Sequence, residues 1–355
     1  MRFKKIAVLT IVIIAIITIK SCEPDAHITT PFELNVPYGF PSFSVPDDNP
    51  LTVEGVELGR YLFYEKALSS NFQFSCSDCH NQQMNFASPS NCSGNVFGLP
   101  VTRNTMPLVN LAWDNAFAWD ERKEGLENKI TDAYTNPFTM AGEIEEIVNR
   151  LQNNNFYVDL FYNAFGDGEA NEINISKALA QFLRTIITGN SKFDKFLRGE
   201  IMLTVQELNG YEIFNREART EPSQPAGGDC FHCHGAPLFT DLASHNNGLD
   251  SVFSDLGLAY ATNDTMDYGK FKTPTLRNVE STSPYMHDGR FLTLEEVIEH
   301  YNSGGIDSYT IDPLMKRVGI GLLLTESEKQ DLISFIRTLK DEDFLTNPDY
   351  SNPNI

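Results

Sequence analysis

The sequence is poor in basic residues. Its 355 residues include 27 lysines and arginines against 48 aspartates and glutamates, which gives a formal net charge of −21. This balance argues against nucleic acid as a partner, because phosphate binding needs clustered positive charge. A basic electron-carrying protein would be attracted to such a surface, although solubility alone also explains the acidity.

Long apolar runs are also scarce. The run from Ile6 to Ile19 is too short to span a membrane comfortably, and three basic residues precede it. We expect residues 1–22 to be a secretory signal that ends at a lipidated Cys22, with soluble secretion as the alternative. Residues 23–49 read as a linker. The mature chain would then be exported to the periplasm or cell envelope, and only a lipid anchor would join it to a membrane.

Cysteine is limited to six residues, and four of them fall in two C-x-x-C-H motifs. The motifs consist of Cys76, Cys79 and His80, and of Cys230, Cys233 and His234. Two thiols at this spacing can bond the two vinyl groups of a haem, while the adjacent imidazole reaches the iron. A zinc site has no reason to require the histidine twice, and a thioredoxin-like centre needs a βαβ context that is missing. We therefore predict two covalently bound c-type haems with His80 and His234 as iron ligands, and assign no role to Cys92.

The region around the first motif is repeated around the second. Each copy has an amphipathic helical start followed by a loop that ends in the motif. Two copies imply two similar domains, at residues 50–170 and 171–345. The aligned positions are Gly59 with Gly210 and Phe63 with Phe214.

Period-two alternation is rare, whereas helical periodicity is common. Helical patterns cover Glu143–Leu151 and Ile175–Ile187, and Thr325 with Glu328 forms a capping-box pattern before a final apolar face. We predict an all-α fold made of two cytochrome c-like domains.

No histidine lies between His80 and His232. The first haem therefore has no second histidine within its own domain, and we expect its sixth position to be open to peroxide. Sulfur ligands are the alternative, from Met84, Met106 or Met140, although each is more simply a core methionine.

The second haem has more candidate ligands. Thr293 and Glu296 form a capping-box pattern, after which the spacing of Leu294, Ile298 and Tyr301 places Tyr301 on a buried helix face. Periodicity alone favours a core tyrosine over an iron ligand. The candidates are His245, His287, His300, Met266, Met286, Met315 and Tyr301.

From about Gly59 to Leu339 the sequence resembles the bacterial dihaem cytochrome c peroxidases and their MauG-type relatives, which use peroxide to oxidise another protein. The resemblance implies that Trp119 lies between the haems and that Tyr301 is an iron ligand, as in MauG-type members. It also implies an interdomain calcium ion bound by Asn104 and by backbone oxygens of Thr282 and Pro284. It rests on "SCSDCH", "TRNTMPLVN", "WDER", "NPFTM", "CFHCH", "TPTLRNV" and "SPYMHDGRFLTLEEVIEHY".

The chain departs from this family at the peroxide side of the first haem. Lys129 and Thr139 stand where the family has a catalytic glutamine and glutamate. Glu121 or Glu127 is a conceivable substitute base, although on a helix such residues are more often solvated. The segment from Ser93 to Gly98 lacks the family's blocking histidine, which implies an iron that needs no reductive activation.

The leading hypothesis is reduction of hydrogen peroxide with electrons from a small cytochrome c or a cupredoxin. One alternative is a MauG-like peroxide-driven oxidase of a protein or small molecule. Another is a dihaem cytochrome that only transfers electrons. The family also implies a homodimer.

Overall fold

The computed structural model describes residues 27–89, 96–98 and 102–354. The proposed signal, Cys22 and Cys92 lie outside these ranges. None of the helices in the described ranges has the length and apolarity that a membrane crossing requires. The described α-helices are α1 (Val53–Phe63), α2 (Cys76–Cys79), α3 (Leu126–Thr135), α4 (Ile144–Gln152), α5 (Asn155–Phe165), α6 (Glu172–Thr185), α7 (Lys192–Leu197), α8 (Val205–Phe214), α9 (Ala259–Thr262), α10 (Leu294–Ser303), α11 (Glu326–Arg337) and α12 (Glu342–Leu345).

Strand structure in the described chain is limited to two short antiparallel ladders. Strand β1 (Ala116–Phe117) pairs with β2 (Lys123–Glu124), and β3 (Ser244–His245) pairs with β4 (Phe271–Lys272). Each strand has two residues, so the ladders shape loops and do not form a sheet core. The protein is therefore helix-rich.

The internal repeat appears as two equivalent helix pairs. Helix α1 packs against α6, and α8 packs against α11. In the first pair, a side chain at Gly59 would collide with the backbone oxygen of Ala178. In the second pair, a side chain at Gly210 would collide with the backbone oxygen of Asp331. The aligned glycines thus let each pair of helix backbones approach closely.

Two hydrophobic cores surround these pairs. The first contains buried residues of α1 and α3–α6, and it continues through Ile186 and takes in Phe344 and Leu345 of α12. The second contains buried residues of α8, α10 and α11. The first core therefore extends past residue 170, where the sequence predicts the end of the first domain.

Buried polar contacts join the two cores. The amide of Asn85 donates to the backbone oxygen of Arg277 (3.0 Å) and accepts from the amide of Asn278 (2.9 Å). Within the second half, the guanidinium of Arg277 forms a paired salt bridge with Asp194 at 2.8 and 2.9 Å. Because Arg277 is 1% exposed, removing either partner would leave a buried charge alone, which is strongly destabilising.

Candidate active site

The first motif begins with a single helical turn. The backbone N–H of Ser75 donates to the carboxylate of Asp78 (2.7 Å), which closes a capping box at the start of α2. The N–H of His80 then donates to the backbone oxygen of Cys76 (2.9 Å). The ring Nδ1 of His80 lies 2.8 Å from the backbone oxygen of Phe86. A carbonyl only accepts, so Nδ1 carries the proton and Nε2 keeps its lone pair for a metal.

The second motif repeats this arrangement. The N–H of His234 donates to the backbone oxygen of Cys230 (2.9 Å), and its Nδ1 lies 3.1 Å from the backbone oxygen of Phe239. Phe86 and Phe239 both have left-handed backbone, with φ of 55° and 54°. Both phenylalanines are buried. Sequence reasoning missed this pair, and its one signal is a phenylalanine five or six residues after each histidine.

Burial keeps the motif side chains uncharged. It lowers the pKa of His80 to about 4 and also lowers the pKa of His234. It raises the pKa of the Cys76 and Cys230 thiols to about 12. The described cysteines form no disulfide. A neutral imidazole can bind iron through Nε2, and a thiol can add to a haem vinyl group, so these side chains are compatible with covalent haem attachment.

A cavity of about 1140 Å³ extends from the first motif towards the second half of the chain. It exceeds ordinary small-molecule pockets of roughly 300–1,000 Å³. Cys76, Cys79 and His80 line one part. Elsewhere in the wall lie the guanidinium and ammonium groups of Arg122, Lys272 and Arg290, each of which is paired with an aspartate. A large space lined by two thiols and an imidazole suits a covalently attached haem, and the paired arginines and lysine supply hydrogen-bond donors for its two propionates.

Trp119 lines this cavity and contacts both halves of the chain. Its indole N–H donates to the backbone oxygen of Asn104 (2.8 Å), while its own backbone oxygen accepts from the N–H of Lys272 (2.9 Å). Trp119 is 8% exposed. The indole is therefore fixed in orientation within the wall that the two halves share.

Lys129 and Thr139 both line the cavity with His80. The hydroxyl of Thr139 donates to the backbone oxygen of Ala133 (2.6 Å). The ammonium of Lys129 donates to the carboxylate of Asp132 (3.1 Å), which lines the same cavity. Although burial opposes ionisation of Asp132, the charge of Lys129 lowers its pKa. The cavity wall thus contains an ionised carboxylate, Asp132, that sequence reasoning missed. The sequence signal that could have found it is its i, i+3 spacing from Lys129.

Glu121 and Glu127 are not part of the cavity wall. Glu127 forms a salt bridge with Arg184 (2.6 Å) and accepts from the amide of Asn49 (2.7 Å). Although burial raises its pKa, these bonds outweigh burial and lower it. Glu121 accepts from the hydroxyl of Ser244 (2.9 Å). Neither glutamate is therefore placed to replace the missing base.

Among described residues of the cavity wall, the histidines are His80 and His287. The ring of His287 stacks on Phe271 with 3.6 Å between centroids. Met106 and Met140 also line the cavity, whereas Met84 does not. Of the segment from Ser93 to Gly98, the structure describes only 96–98.

Several candidate ligands of the second haem have other partners. The ring of His245 lies between the carboxylates of Asp241 (2.7 Å) and Asp312 (2.6 Å). The Nε2 of His300 contacts the backbone oxygen of Asn247 (2.9 Å). Met266 is 55% exposed. These observations argue against His245, His300 and Met266, whereas Tyr301 and Met286 share a contact with the side-chain amide of Asn247.

Tyr301 lies on α10 and packs against the second core. Burial raises the pKa of its phenol to about 12, with smaller contributions from the nearby thiols of Cys233 and Cys230. Its oxygen accepts a hydrogen bond from the amide of Asn247 (3.1 Å), and the same amide nitrogen lies 3.5 Å from the sulfur of Met286. The phenol is therefore close to the second motif.

Two of the three proposed calcium ligands, the side chain of Asn104 and the backbone oxygen of Pro284, lie next to each other. The side-chain amide of Asn104 lies 2.5 Å from the backbone oxygen of Pro284, and its own Oδ1 is buried with no hydrogen-bond partner. Turning the amide over would place two oxygens side by side, and oxygen is the donor atom that calcium prefers. The hydroxyl of Thr282 donates to the backbone oxygen of Val279 (3.0 Å). The described residues thus fit a hard cation at Asn104 and Pro284.

Comparison with known proteins places this geometry in context. The family model for di-haem cytochrome c peroxidase matches residues 53–202. The methylamine utilization protein MauG of Methylorubrum extorquens is 35% identical over 302 residues, which cover 84% of this chain and 81% of that protein. Cytochrome-c peroxidase IdrP1 of Pseudomonas sp. (strain SCT) is 30% identical over 346 residues, with 88% of each chain covered. A crystal structure of a MauG-like protein associated with microbial copper homeostasis has a TM-score of 0.83 and 32% identity, covering 91% of this chain and 100% of that one. The chain belongs to the di-haem cytochrome c peroxidase family.

Proposed function

We propose that this protein reduces hydrogen peroxide with electrons from a small cytochrome c or cupredoxin. Cys76, Cys79 and His80 would hold the haem that meets peroxide. Cys230, Cys233, His234 and Tyr301 would hold the haem that exchanges electrons with the donor. A bound haem supplies iron that cycles between oxidation states.

The observation that carries this proposal is the cavity shared by His80 and Trp119. An indole fixed in the wall that the two halves share would carry electrons from one half to the other. Among the described residues of the cavity wall, the one histidine besides His80 is His287, whose ring stacks on Phe271. This favours a face that is open to a small oxidant.

The chain's own residues set the protonation around this face. The backbone carbonyl of Phe86 accepts the hydrogen bond from Nδ1 of His80. This fixes the tautomer of the ring and leaves the lone pair on Nε2. Lys129 supplies a hydrogen-bond donor in the cavity wall, and Asp132 supplies an acceptor beside it. Proton transfer between the two peroxide oxygens requires a donor and an acceptor, but against the effect of burial Lys129 lowers the pKa of Asp132 and so makes this carboxylate a weak base.

The remaining parts of the proposal concern assembly and location. We infer two cytochrome c-like domains, with α6 packed in the first, and a calcium ion bound by Asn104 and by backbone oxygens of Thr282 and Pro284. We also infer export to the cell envelope, a lipid anchor at Cys22 and a homodimer.

A second candidate is a peroxide-driven oxidase of the MauG type. It is favoured by Tyr301 on α10, whose oxygen is hydrogen-bonded next to the second motif. An anionic phenolate stabilises oxidised iron more than a thioether does. Such a haem would store oxidising equivalents instead of delivering electrons to peroxide.

One experiment separates these functions. The purified dihaem protein is mixed with hydrogen peroxide, with and without reduced cytochrome c, while the Soret band and cytochrome oxidation are followed. Rapid cytochrome oxidation is the result expected for the peroxidase. A long-lived oxidised species without cytochrome turnover would favour the oxidase, and an unchanged Soret band would refute both.

A further inference from the structure

Asn247 is hydrogen-bonded through its side chain and through its backbone to two consecutive residues of α10, Tyr301 and His300. Its side-chain amide donates to the phenol oxygen of Tyr301 (3.1 Å), and its backbone oxygen contacts Nε2 of His300 (2.9 Å). A carbonyl oxygen only accepts hydrogen bonds, so Nε2 of His300 carries the proton and is the donor. The amide of Asn247 therefore has a defined position relative to Tyr301.

The loop that carries Asn247 does not depend on the Asn247 side chain for its shape. The amide of the preceding residue, Asn246, donates to the hydroxyl of Thr310 (2.9 Å), and its oxygen accepts from the N–H of Gly248 (3.0 Å). The backbone oxygen of Gly248 accepts from the N–H of Ile306 (2.8 Å). Asn246 is 2% exposed. Replacing the Asn247 side chain should therefore leave the loop in place.

Both amide hydrogens of Asn247 have an acceptor. One serves the phenol oxygen of Tyr301, and the second is directed to the sulfur of Met286, 3.5 Å from the nitrogen. The phenol oxygen of Tyr301 is the stronger of the two acceptors, because a thioether sulfur accepts hydrogen bonds only weakly. A phenolate accepts more strongly still, since hydrogen bonds to ionised groups are about twice as strong as neutral ones.

We propose that Asn247 is a positioning residue that tunes the second haem by donating a hydrogen bond to the iron-bound oxygen of Tyr301. This rests on the proposed ligation by Tyr301. The hydrogen bond withdraws electron density from the phenolate oxygen, so the oxygen donates less to oxidised iron. Asn247 thereby raises the reduction potential of a haem that its tyrosine ligand alone would hold lower, and outer-shell hydrogen bonds are a recognised means of such tuning.

The test uses the dihaem protein and two variants of Asn247. Asn247→Leu has nearly the same shape without a donor, and Asn247→Asp keeps the shape while an acceptor replaces the donor. The midpoint potential of the second haem is measured by spectroelectrochemical titration, together with the phenolate-to-iron charge-transfer band. Both variants are expected to shift the potential to more negative values and the band to longer wavelength.

Two control variants distinguish the role of Asn247 from iron ligation by Tyr301. Met286→Leu removes the second partner of the amide and is expected to leave the potential and the band unchanged. Tyr301→Phe is expected to abolish the band. If Tyr301→Phe abolishes the band while neither Asn247 variant shifts the potential, the role of Asn247 is refuted and ligation by Tyr301 stands. A shift in Met286→Leu alone would also refute it, and an unchanged spectrum in Tyr301→Phe would refute the ligation itself.

Discussion

The indole nitrogen of Trp119 donates to the backbone oxygen of Asn104 across 2.8 Å. The side chain of Asn104 reaches Pro284 in the second half of the chain. One residue therefore orients the tryptophan through its backbone and contacts the other half through its amide. This arrangement couples the position of the indole to the proposed calcium site.

Replacing Trp119 by phenylalanine should slow electron transfer between the two haems while both remain attached. Phenylalanine preserves an aromatic ring in the wall but loses the N–H that orients it. We expect peroxide-dependent oxidation of the second haem to slow on the order of tenfold or more, which corresponds to about 1.4 kcal/mol or more in the barrier. Stopped-flow spectra of both haems would measure this. Equal rates in the two proteins would show that the indole is only a packing residue.

Calcium should stabilise the protein through Asn104. Asn104→Ala removes the side-chain oxygen and keeps the backbone oxygen that Trp119 uses. Calcium at a hundredfold excess over its Kd should raise the free energy of unfolding of the wild type by about 2.7 kcal/mol, and that of the variant by much less. Denaturant unfolding of chelator-treated protein with and without added calcium provides the measurement. An equal response in both proteins would place any calcium elsewhere.

The peroxide reaction should become faster when the family's catalytic glutamine and glutamate are restored at positions 129 and 139. Lys129→Gln with Thr139→Glu introduces an amide and a carboxylate at two positions of the same cavity wall. Since general acid–base catalysis contributes about 10²- to 10⁴-fold, we expect a gain towards the lower end of that range in the rate of the peroxide reaction. Lys129→Gln alone is the matched control. A double variant no faster than the single one would indicate that Asp132 or another group already serves this role.

Much of the fold follows from the sequence because its signals are local. The capping boxes at Thr293 and Thr325 start α10 and α11, as predicted. The predicted helices at Glu143–Leu151 and Ile175–Ile187 are confirmed as α4 and α6 with small shifts at their ends. Each of these features depends on residues within a few positions of one another.

The parts of the site that sequence did not predict depend on distant contacts. Asn247 and Tyr301 are separated by 54 positions, and no periodicity relates a loop residue to a helix face. The left-handed backbone at Phe86 and Phe239 is likewise invisible in composition, because phenylalanine rarely adopts it. These contacts arise only once the helix pairs have packed.

The stability of the second half should fall as pH rises through the titration of His245. Hydrogen bonding to Asp241, opposed by burial and helped by Asp312, raises the pKa of His245 from 6.5 to about 9. A raised pKa means that the folded state binds the proton more tightly, so the contribution is complete below pH 6.5 and is lost as pH approaches 9. The full shift corresponds to about 3–4 kcal/mol, and solvent screening of this half-buried cluster reduces the contribution to about 2–3 kcal/mol.

Urea unfolding of the wild type and of His245→Gln between pH 6 and pH 10 would test this. The difference in the free energy of unfolding should be largest at the acidic end and should shrink across the range, because the wild type alone loses a charged contact. Asp312→Asn removes one of the two carboxylates and should move the transition to lower pH. If the difference between wild type and His245→Gln is the same at every pH, the imidazole is held by packing and hydrogen bonds in its neutral form, and its two carboxylates do not bind a charged ring.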